Sequence, residues 1–324
     1  MSKVSIIIVN YNGKDYLKGC IESVLKQEYD DFNVIIVDNA STDGSVEFIK
    51  AHFPQVQIIQ LDNNYGFTGG NNAGIKKAME DVNIKYVALL NNDAIVDKNW
   101  LKELVVVAES EEKIGICQPK ILSLENPKII DAVGMGIKRD GLVYHIGWGE
   151  EDIGQYKNSF EIFGATAASV LYKIKMLKEI GLFDEDFFAY YEDVDISIRA
   201  RIYGWKAVYV PEAVAYHKGA GTSKKNSPFT FFYMARNYNY CIIKNLPVDM
   251  IFYGLFKRFQ SVLYAIFKII IFLKSKDFEK ARLNFFYVKG NIMALGKLFK
   301  MIRKRKKIFS ERVISNEELK KWFV

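Results

Sequence analysis

The chain has 324 residues, half of them hydrophobic, 14% aromatic, with a formal net charge of +7. That length allows one large or two modest domains with ample core, and that apolar content excludes a disordered chain. Three cysteines, Cys20, Cys117 and Cys241, are far apart and odd in number, which excludes a disulfide framework or a zinc ribbon and fits a reducing compartment.

Val4 to Val9 is a β-branched run that predicts a central strand. It stops at Asn10-Tyr11-Asn12-Gly13, a turn signature, and is too short for a secretory signal. Residues 15–26 show helical spacing, with Leu17, Ile21, Val24 and Leu25 on one face. Val34 to Val37 predicts a second strand ending at Asp38. A polar loop over 39–44 and a helix carrying Val46 and Ile49 follow. Val56 to Leu61 predicts a third strand. The Gly-rich stretch Tyr65 to Gly74 opens a helix predicted over 71–79. It reads either as a phosphate cradle of backbone N–H groups or as a flexible turn with a cap. It spells neither a dinucleotide fingerprint nor a P-loop. Val87 to Leu90 is a fourth strand, ending in Asn91-Asn92-Asp93. This β-α-β order predicts a mostly parallel α/β sheet. Three strands stop at polar residues, so these gather at the carboxyl edge, where open α/β sheets bind ligands. Asp93 reads either as a turn residue or as a ligand for a hard cation, which takes one or two carboxylates plus substrate phosphates.

Residues 121–160 carry little signal. Gly164 and Ala165 begin a run of small residues, which lets another group approach the backbone closely. Phe187, Phe188, Tyr190 and Tyr191 then precede Glu192, Asp193 and Asp195, and a helix follows with Ile196, Ile198 and Ile202. Asp195 and Arg199 lie four apart and are placed to pair. Glu192 and Asp193 at the helix start read either as caps that favour the dipole or as catalytic acids. Apolar aromatic walls favour the second reading, because they raise a carboxylate towards the range of a general base. Ala207 to Val210 is another strand, and Val214 to His217 follows. His217, one of three histidines, precedes Gly219-Ala220-Gly221-Thr222-Ser223. It reads as structural or as a metal or phosphate contact.

These motifs, in this order, resemble the large inverting glycosyltransferase family 2. The resemblance is carried by Val4 to Asn12, Val37 to Gly44, Gly66 to Asn72, Leu90 to Asp93, Tyr191 to Asp195, Tyr209 to Ala213 and His217, and spans roughly residues 3 to 245. It implies a GT-A nucleotide-sugar-binding fold and a nucleotide-diphosphate sugar donor. It assigns Asn10, Tyr11, Asp38, Gly66, Asn71 and Asn92 to the nucleotide and donor. Asn91-Asn92-Asp93 takes the place of the family's DxD-type motif, with Asp93 holding a divalent ion, Mg²⁺ or Mn²⁺. The first acid of that motif is absent, which brings in His217 as a second ligand. Asp193 becomes the catalytic base, with Gly164, Ala165 and Glu192 on the acceptor side. The Gly-Phe-x-Gly-Gly-Asn-Asn pattern is similar to members that transfer rhamnose or related sugars in polysaccharide biosynthesis. The expected donor is therefore dTDP-rhamnose or a UDP-sugar, and the expected acceptor a hydroxyl of a cell-surface glycan or lipid-linked molecule.

The last third differs in charge. Residues 1–225 hold 25 Lys and Arg against 32 Asp and Glu, a balance of −7; residues 226–324 hold 20 against 6, a balance of +14. This predicts a catalytic domain over 1–225 and a basic helical region over 226–324. In the latter, Phe252, Leu255, Phe256, Phe259, Leu263, Ile266, Phe267 and Ile270 form one helical stripe, interrupted by Lys257, Arg258 and Lys268. No uncharged apolar run is long enough to span a membrane. Apolar, aromatic and basic residues interleaved on a helix suit an anionic membrane surface; the alternative is packing on the catalytic domain or on a second copy. The expected location is cytoplasmic, peripheral on the inner face of the membrane. No nucleic-acid motif accompanies the basic residues. Two other functional readings compete. A nucleotidyltransferase is disfavoured because its Gly-rich first loop is here Asn10-Tyr11-Asn12-Gly13. A non-catalytic carbohydrate-binding scaffold is disfavoured by the presence of Asp93 and Asp193.

Overall fold

The computed structural model describes residues 3–219 and 226–324. The Gly-Thr-Ser segment after Gly219 and the expected boundary at residue 225 lie outside the described residues. The chain begins β1 (Val4–Asn10), α1 (Lys14–Leu25), β2 (Phe32–Asp38), α2 (Ser45–His52), β3 (Gln57–Gln60), α3 (Gly66–Ala78) and β4 (Tyr86–Asn91). It continues through β5 (Ala94–Val96), α4 (Trp100–Ser110), β6 (Ile114–Ser123), β7 (Ile130–Ala132), β8 (Met135–Ile137), β9 (Val143–His145), β10 (Phe160–Ile162) and β11 (Ser169–Lys173). Then come α5 (Ile174–Ile180), α6 (Glu192–Ile202) and β12 (Lys206–His217). The C-terminal helices are α7 (Pro228–Asn245), α8 (Val248–Lys274), α9 (Phe278–Ala294), α10 (Leu298–Ser310) and α11 (Asn316–Lys320).

The main sheet has the order β10-β12-β6-β11-β4-β1-β2-β3, with β5 added to β12 and β7 to β6. The first four strands pair in parallel, as their β-α-β order predicts. The antiparallel β11 sits between β4 and β6 and makes the sheet mixed. Alternate residues of β1 divide between two cores. Ile6 and Ile8 pack with Leu17 and Ile21 of α1 and Trp100 and Leu104 of α4. Ile7 packs on the other face with Ile75 of α3. Both faces of β1 are therefore covered, which is why its sequence is continuously apolar rather than alternating.

Three elements differ from expectation. α3 begins at Gly66, five residues before the predicted start, so most of the Gly-rich stretch is helix. Close approach to the sheet explains the glycines in it: a Cβ at Gly74 would lie 2.5 Å from the Ile7 side chain and one at Gly70 2.7 Å from that of Val9. The two strand segments after Lys206 form one twelve-residue β12, with a register shift between Val210 and Val214. The weakly patterned 121–160 region contains the small β8–β9 hairpin and β7, which brings Asp131 to the sheet edge.

The helical region is not separate in its packing. Tyr238, Tyr240, Cys241 and Ile242 of α7 share a core with Phe187 and Val194. Further out, α8 leaves Phe252, Phe256, Phe259, Tyr264 and Phe267 exposed, and buries only Met250, Gly254 and Ala265. Among the described residues, no helix is long and apolar enough to cross a membrane.

Candidate active site

The carboxyl ends of β1, β2 and β4 are joined by side-chain hydrogen bonds. Asn10 is fully buried and is the hub. Its Nδ2 donates to Asp38 Oδ2 at 3.2 Å and to Ser41 Oγ at 3.1 Å, and its Oδ1 accepts from Asn92 Nδ2 at 2.8 Å. Asp38 Oδ1 accepts from Ser41 N at 2.9 Å. Gly13 lies so close to Asn92 that a Cβ there would overlap its amide. Tyr11 projects from this rim and is exposed. Asn71 is buried, and its amide donates back to Phe67 O at 2.9 Å.

Asp93, just past β4, faces His217 at the end of β12. His217 Nε2 is 3.4 Å from Asp93 Oδ1 and 3.2 Å from Asn91 Nδ2. His217 Nδ1 is 2.8 Å from Asp131 Oδ2 on β7. Burial lowers the imidazole pKa, but hydrogen bonds and charge from Asp131 and Asp93 outweigh it and raise the value to about 9. At neutral pH such an imidazole carries a proton, and it can ligate a cation only once Nε2 has given that proton up. One carboxylate oxygen and one imidazole nitrogen form a mixed donor set that Mn²⁺ or Mg²⁺ accepts when phosphate oxygens complete it. Among the described residues no group of three such ligands exists, and Asp93 and His217 are the two that they offer here. Asp131 occupies the second nitrogen, the position from which a carboxylate orients a ligating histidine.

The acidic turn lies on the same rim. Asp193 Oδ1 accepts from Val194 N at 2.8 Å, and Oδ2 accepts from Ala167 N at 3.4 Å. The next carbonyl, Ala168 O, accepts from Asn91 N at 2.9 Å. Two backbone links therefore connect Asp193 to the Asn91-Asn92-Asp93 end of β4. Burial raises the Asp193 pKa, and His145 together with the two N–H groups pulls it partly back. Glu192 is buried, its Oε2 has no hydrogen-bond partner, and burial followed by the Asp193 charge raises it well above the carboxylate range. Asp195 is different. Its Oδ2 accepts from Arg199 Nε at 2.9 Å and its Oδ1 lies 2.8 Å from Lys244 Nζ, so it pairs as its spacing predicts.

The expected site residues fall into two groups. Asn10, Asp38, Asn92, Asp93, His217 and Asp193 converge on one sheet edge, with Tyr11 at its rim. Gly66 contacts the aromatic loop instead: a Cβ there would lie 2.4 Å from Phe188 O, and its φ of +72° suits glycine. Gly164 and Ala165 are buried behind the rim, with Gly164 against Ser197 of α6. The N–H groups that donate to the Asp193 carboxylate are those of Ala167 and Val194. Asp131 was not anticipated. The only signal for it is that His217 needs an acceptor at its second nitrogen, and spacing does not say which residue provides one.

The family description "Glycosyl transferase family 2" matches residues 5–181, more than half of the chain. A low-salt glycan biosynthesis hexosyltransferase, Agl10, of Haloferax volcanii is 26% identical over 62% of this chain and 62% of its own length. A poly-beta-1,6-N-acetyl-D-glucosamine synthase of Staphylococcus epidermidis is 25% identical over 66% of this chain and 49% of its own length. The chain thus spans less than two thirds of either relative. The crystal structure of GalNAc-T7 with UDP, GalNAc and Mn²⁺ shares the fold, with a TM-score of 0.68 at 15% identity, over 99% of this chain and 56% of that one. By the family match and by the fold of its sheet, the chain belongs to glycosyl transferase family 2.

Proposed function

We propose that the chain transfers a sugar from a nucleotide-diphosphate donor, dTDP-rhamnose or a UDP-sugar, to a hydroxyl of a cell-surface glycan or lipid-linked acceptor, with inversion. The observation that carries this is the position of Asp193: a carboxyl with no Lys or Arg partner among the described residues, two backbone links from Asn91 at the end of β4. Tyr11 and Asp38 take the nucleotide base, with Asp38 held by Asn10. Asn92 and Asp93 lie at the diphosphate. Asp93 and His217 would hold a divalent ion, which would supply Lewis-acid neutralisation of the diphosphate charge; the Mn²⁺ and UDP named for the GalNAc-T7 structure support a divalent ion on this fold. Asp193 accepts the proton of the acceptor hydroxyl as its oxygen bonds to the anomeric carbon. The bond from that carbon to the diphosphate oxygen breaks on the opposite face, and its electron pair leaves with the nucleoside diphosphate. One displacement inverts the centre.

The acceptor side is bounded by Tyr191, the residue before Glu192. Tyr191 also lines a groove of about 360 Å³ between α7, α8 and α9, together with Phe231, Met234, Tyr238, Lys257 and Arg258. Apolar walls with two cations and one carboxylate, Asp140, suit an amphiphilic acceptor, and the groove adjoins the exposed apolar face of α8. We therefore place the enzyme peripherally on an anionic, inner membrane face, with the catalytic unit over 1–225 and the helical region over 226–324 as its contact. The decisive experiment measures nucleoside diphosphate release from UDP-N-acetylglucosamine, UDP-glucose, UDP-galactose, GDP-mannose and dTDP-rhamnose, with octyl glycosides as acceptors. Release that depends on the acceptor, and a product of inverted configuration by NMR, is expected. A retained anomeric configuration would overturn the single displacement.

A further inference from the structure

The loop before Asp193 is held in an unusual backbone. Phe188, Tyr190 and Tyr191 have φ of 65°, 67° and 69°. Bulky L-residues avoid this left-handed region, and such residues persist where surrounding structure over-determines them. Tyr191 is also the N-cap of α6, so its backbone sets how the first turn of the helix, with Asp193, is aimed.

The over-determination comes from α7. Asn237 is fully buried. Its Nδ2 lies 2.8 Å from Phe187 O, 2.7 Å from Ala189 O and 2.8 Å from Tyr190 O. Left-handed residues turn the chain back on itself, so these three carbonyls converge on one amide. Arg236 Nη2 donates to Asp186 O at 2.9 Å and to Phe187 O at 2.8 Å. Arg236 Nε donates to Asn237 Oδ1 at 2.9 Å, which fixes the amide with its nitrogen towards the loop. The Arg236 guanidinium lies 4.5 Å from the centre of the Tyr233 ring, which itself stacks on Phe188 at 5.2 Å. On the far side, Phe188 O accepts from Thr68 N of α3 at 3.1 Å.

We infer that Arg236 and Asn237 are positioning residues for glycosyl transfer, holding loop 187–191 so that Asp193 faces the rim. This rests on Asp193 being the base. It makes α7, which lies in the basic region, part of the apparatus that aims the catalytic carboxylate.

The test uses the full chain and the donor and octyl glycoside that it turns over fastest. Asn237→Ala, Arg236→Gln, Asp193→Asn and the double variant Asn237→Ala/Asp193→Asn are compared for kcat, donor KM, UDP affinity and melting temperature. Misplacing a reacting group by about 1 Å costs on the order of a hundredfold in rate, and kcat of Asn237→Ala is expected to fall by that order while UDP affinity stays unchanged. In the Asp193→Asn background the same substitution should cost no further rate, because the group it aims is already gone. Arg236→Gln, which keeps Asn237, should lose less and supplies the comparison if Asn237→Ala does not fold. Native kcat with a lowered melting temperature, or an undiminished second loss in the double variant, overturns the inference while leaving the base intact. Native kcat in Asp193→Asn alone would instead remove the base assignment beneath it.

Discussion

Asp193 and Asp195 are two residues apart on the first turn of α6, and opposite outcomes are expected on neutralising each. In Asp193→Asn, turnover should fall by about two to four orders of magnitude, the usual contribution of a general base. Its stability should rise. Burial raises the Asp193 pKa, so the folded state holds that proton more tightly than the unfolded chain. The linked stability is fully present below the ordinary carboxylate value and is lost as pH rises through the raised one. At neutral pH the charged group is therefore a penalty, which asparagine removes. In Asp195→Asn the sign reverses. Burial pushes Asp195 up, but Lys244 and Arg199 hold it well below the usual range. Breaking a buried ion pair costs about 3–5 kcal/mol. The lower end applies here, because Arg199 keeps the carbonyls of Ile180, Gly181 and Leu182, and Lys244 keeps Asp184. A loss of about 3 kcal/mol lowers Tm by about 6 °C at roughly 2 °C per kcal/mol. Differential scanning fluorimetry and turnover on the same samples decide it. An Asp193→Asn protein with native turnover and a lowered Tm would show that Asp193 is only a helix cap, and would refute the reasoning.

Three further outcomes are expected. Asp93→Ala should abolish any dependence of UDP affinity on Mn²⁺, and Asp131→Asn should weaken Mn²⁺ binding in the presence of UDP by about 10–100-fold, through loss of the carboxylate that orients His217; isothermal titration calorimetry checks both, and unchanged Mn²⁺ affinity in both variants removes the metal assignment. Asp184 and Asp186 are held below the usual carboxylate range, against burial, by Lys244 and Lys304 and by Lys297, Lys300 and Lys304 respectively. Their stabilisation is present above about pH 4, the ordinary carboxylate value, and is lost as pH falls through the lowered values. Acid should therefore lower Tm more steeply in the native chain than in Lys304→Met, and parallel curves would count against these ion pairs as a source of stability. Vesicles of anionic lipid should sediment the protein at low salt and less at high salt, and Phe256→Ser with Phe259→Ser should weaken this at both; absence of binding at either salt favours packing against a second copy.

The first four strands and their polar ends were legible because period and turn chemistry are local. Continuous apolar runs stopped by Asn10, Asp38 and Asn91 encode both a buried strand and where it meets solvent. The start of α3 was not legible. Glycines at 66, 69, 70 and 74 lower helix propensity, and only the fold shows the neighbours that require them, Phe188, Tyr65, Val9 and Ile7 in that order. Asp131 was illegible for a different reason: its short strand has no periodicity, and its partner is 86 residues away. The Asp195–Arg199 pair was legible because a helix brings residues four apart together. Its second cation, Lys244, comes from α7 and was not. Likewise the stripe on α8 was readable as apolar, but only the fold shows that it faces outward.

The acidic run from Asp184 to Asp195 reads in sequence as one cluster, and pairing divides it. Asp184 is bound by Lys244 and Lys304, and Asp186 by Lys297, Lys300 and Lys304. Glu185 accepts from Asn72 and lies 3.6 Å from Lys76. Asp195 is held by Arg199 and Lys244. Each of these has a cation within reach, and several of those cations come from the basic region, so part of its +14 balance is neutralised inside the molecule. Glu192 has no such partner among the described residues, and Asp193 has no Lys or Arg there, only the electrostatic pull of His145. A buried carboxyl without a counterion is costly to fold around. Its removal would stabilise the chain, so a structural role does not account for it. A base needs that condition, because a paired carboxylate is too weakly basic to take a hydroxyl proton. The lysines of α10 thus have a consequence beyond holding a helix in place. By taking Asp184 and Asp186 out of the acidic run, they leave the carboxyls without a Lys or Arg partner at the turn that holds Asp193.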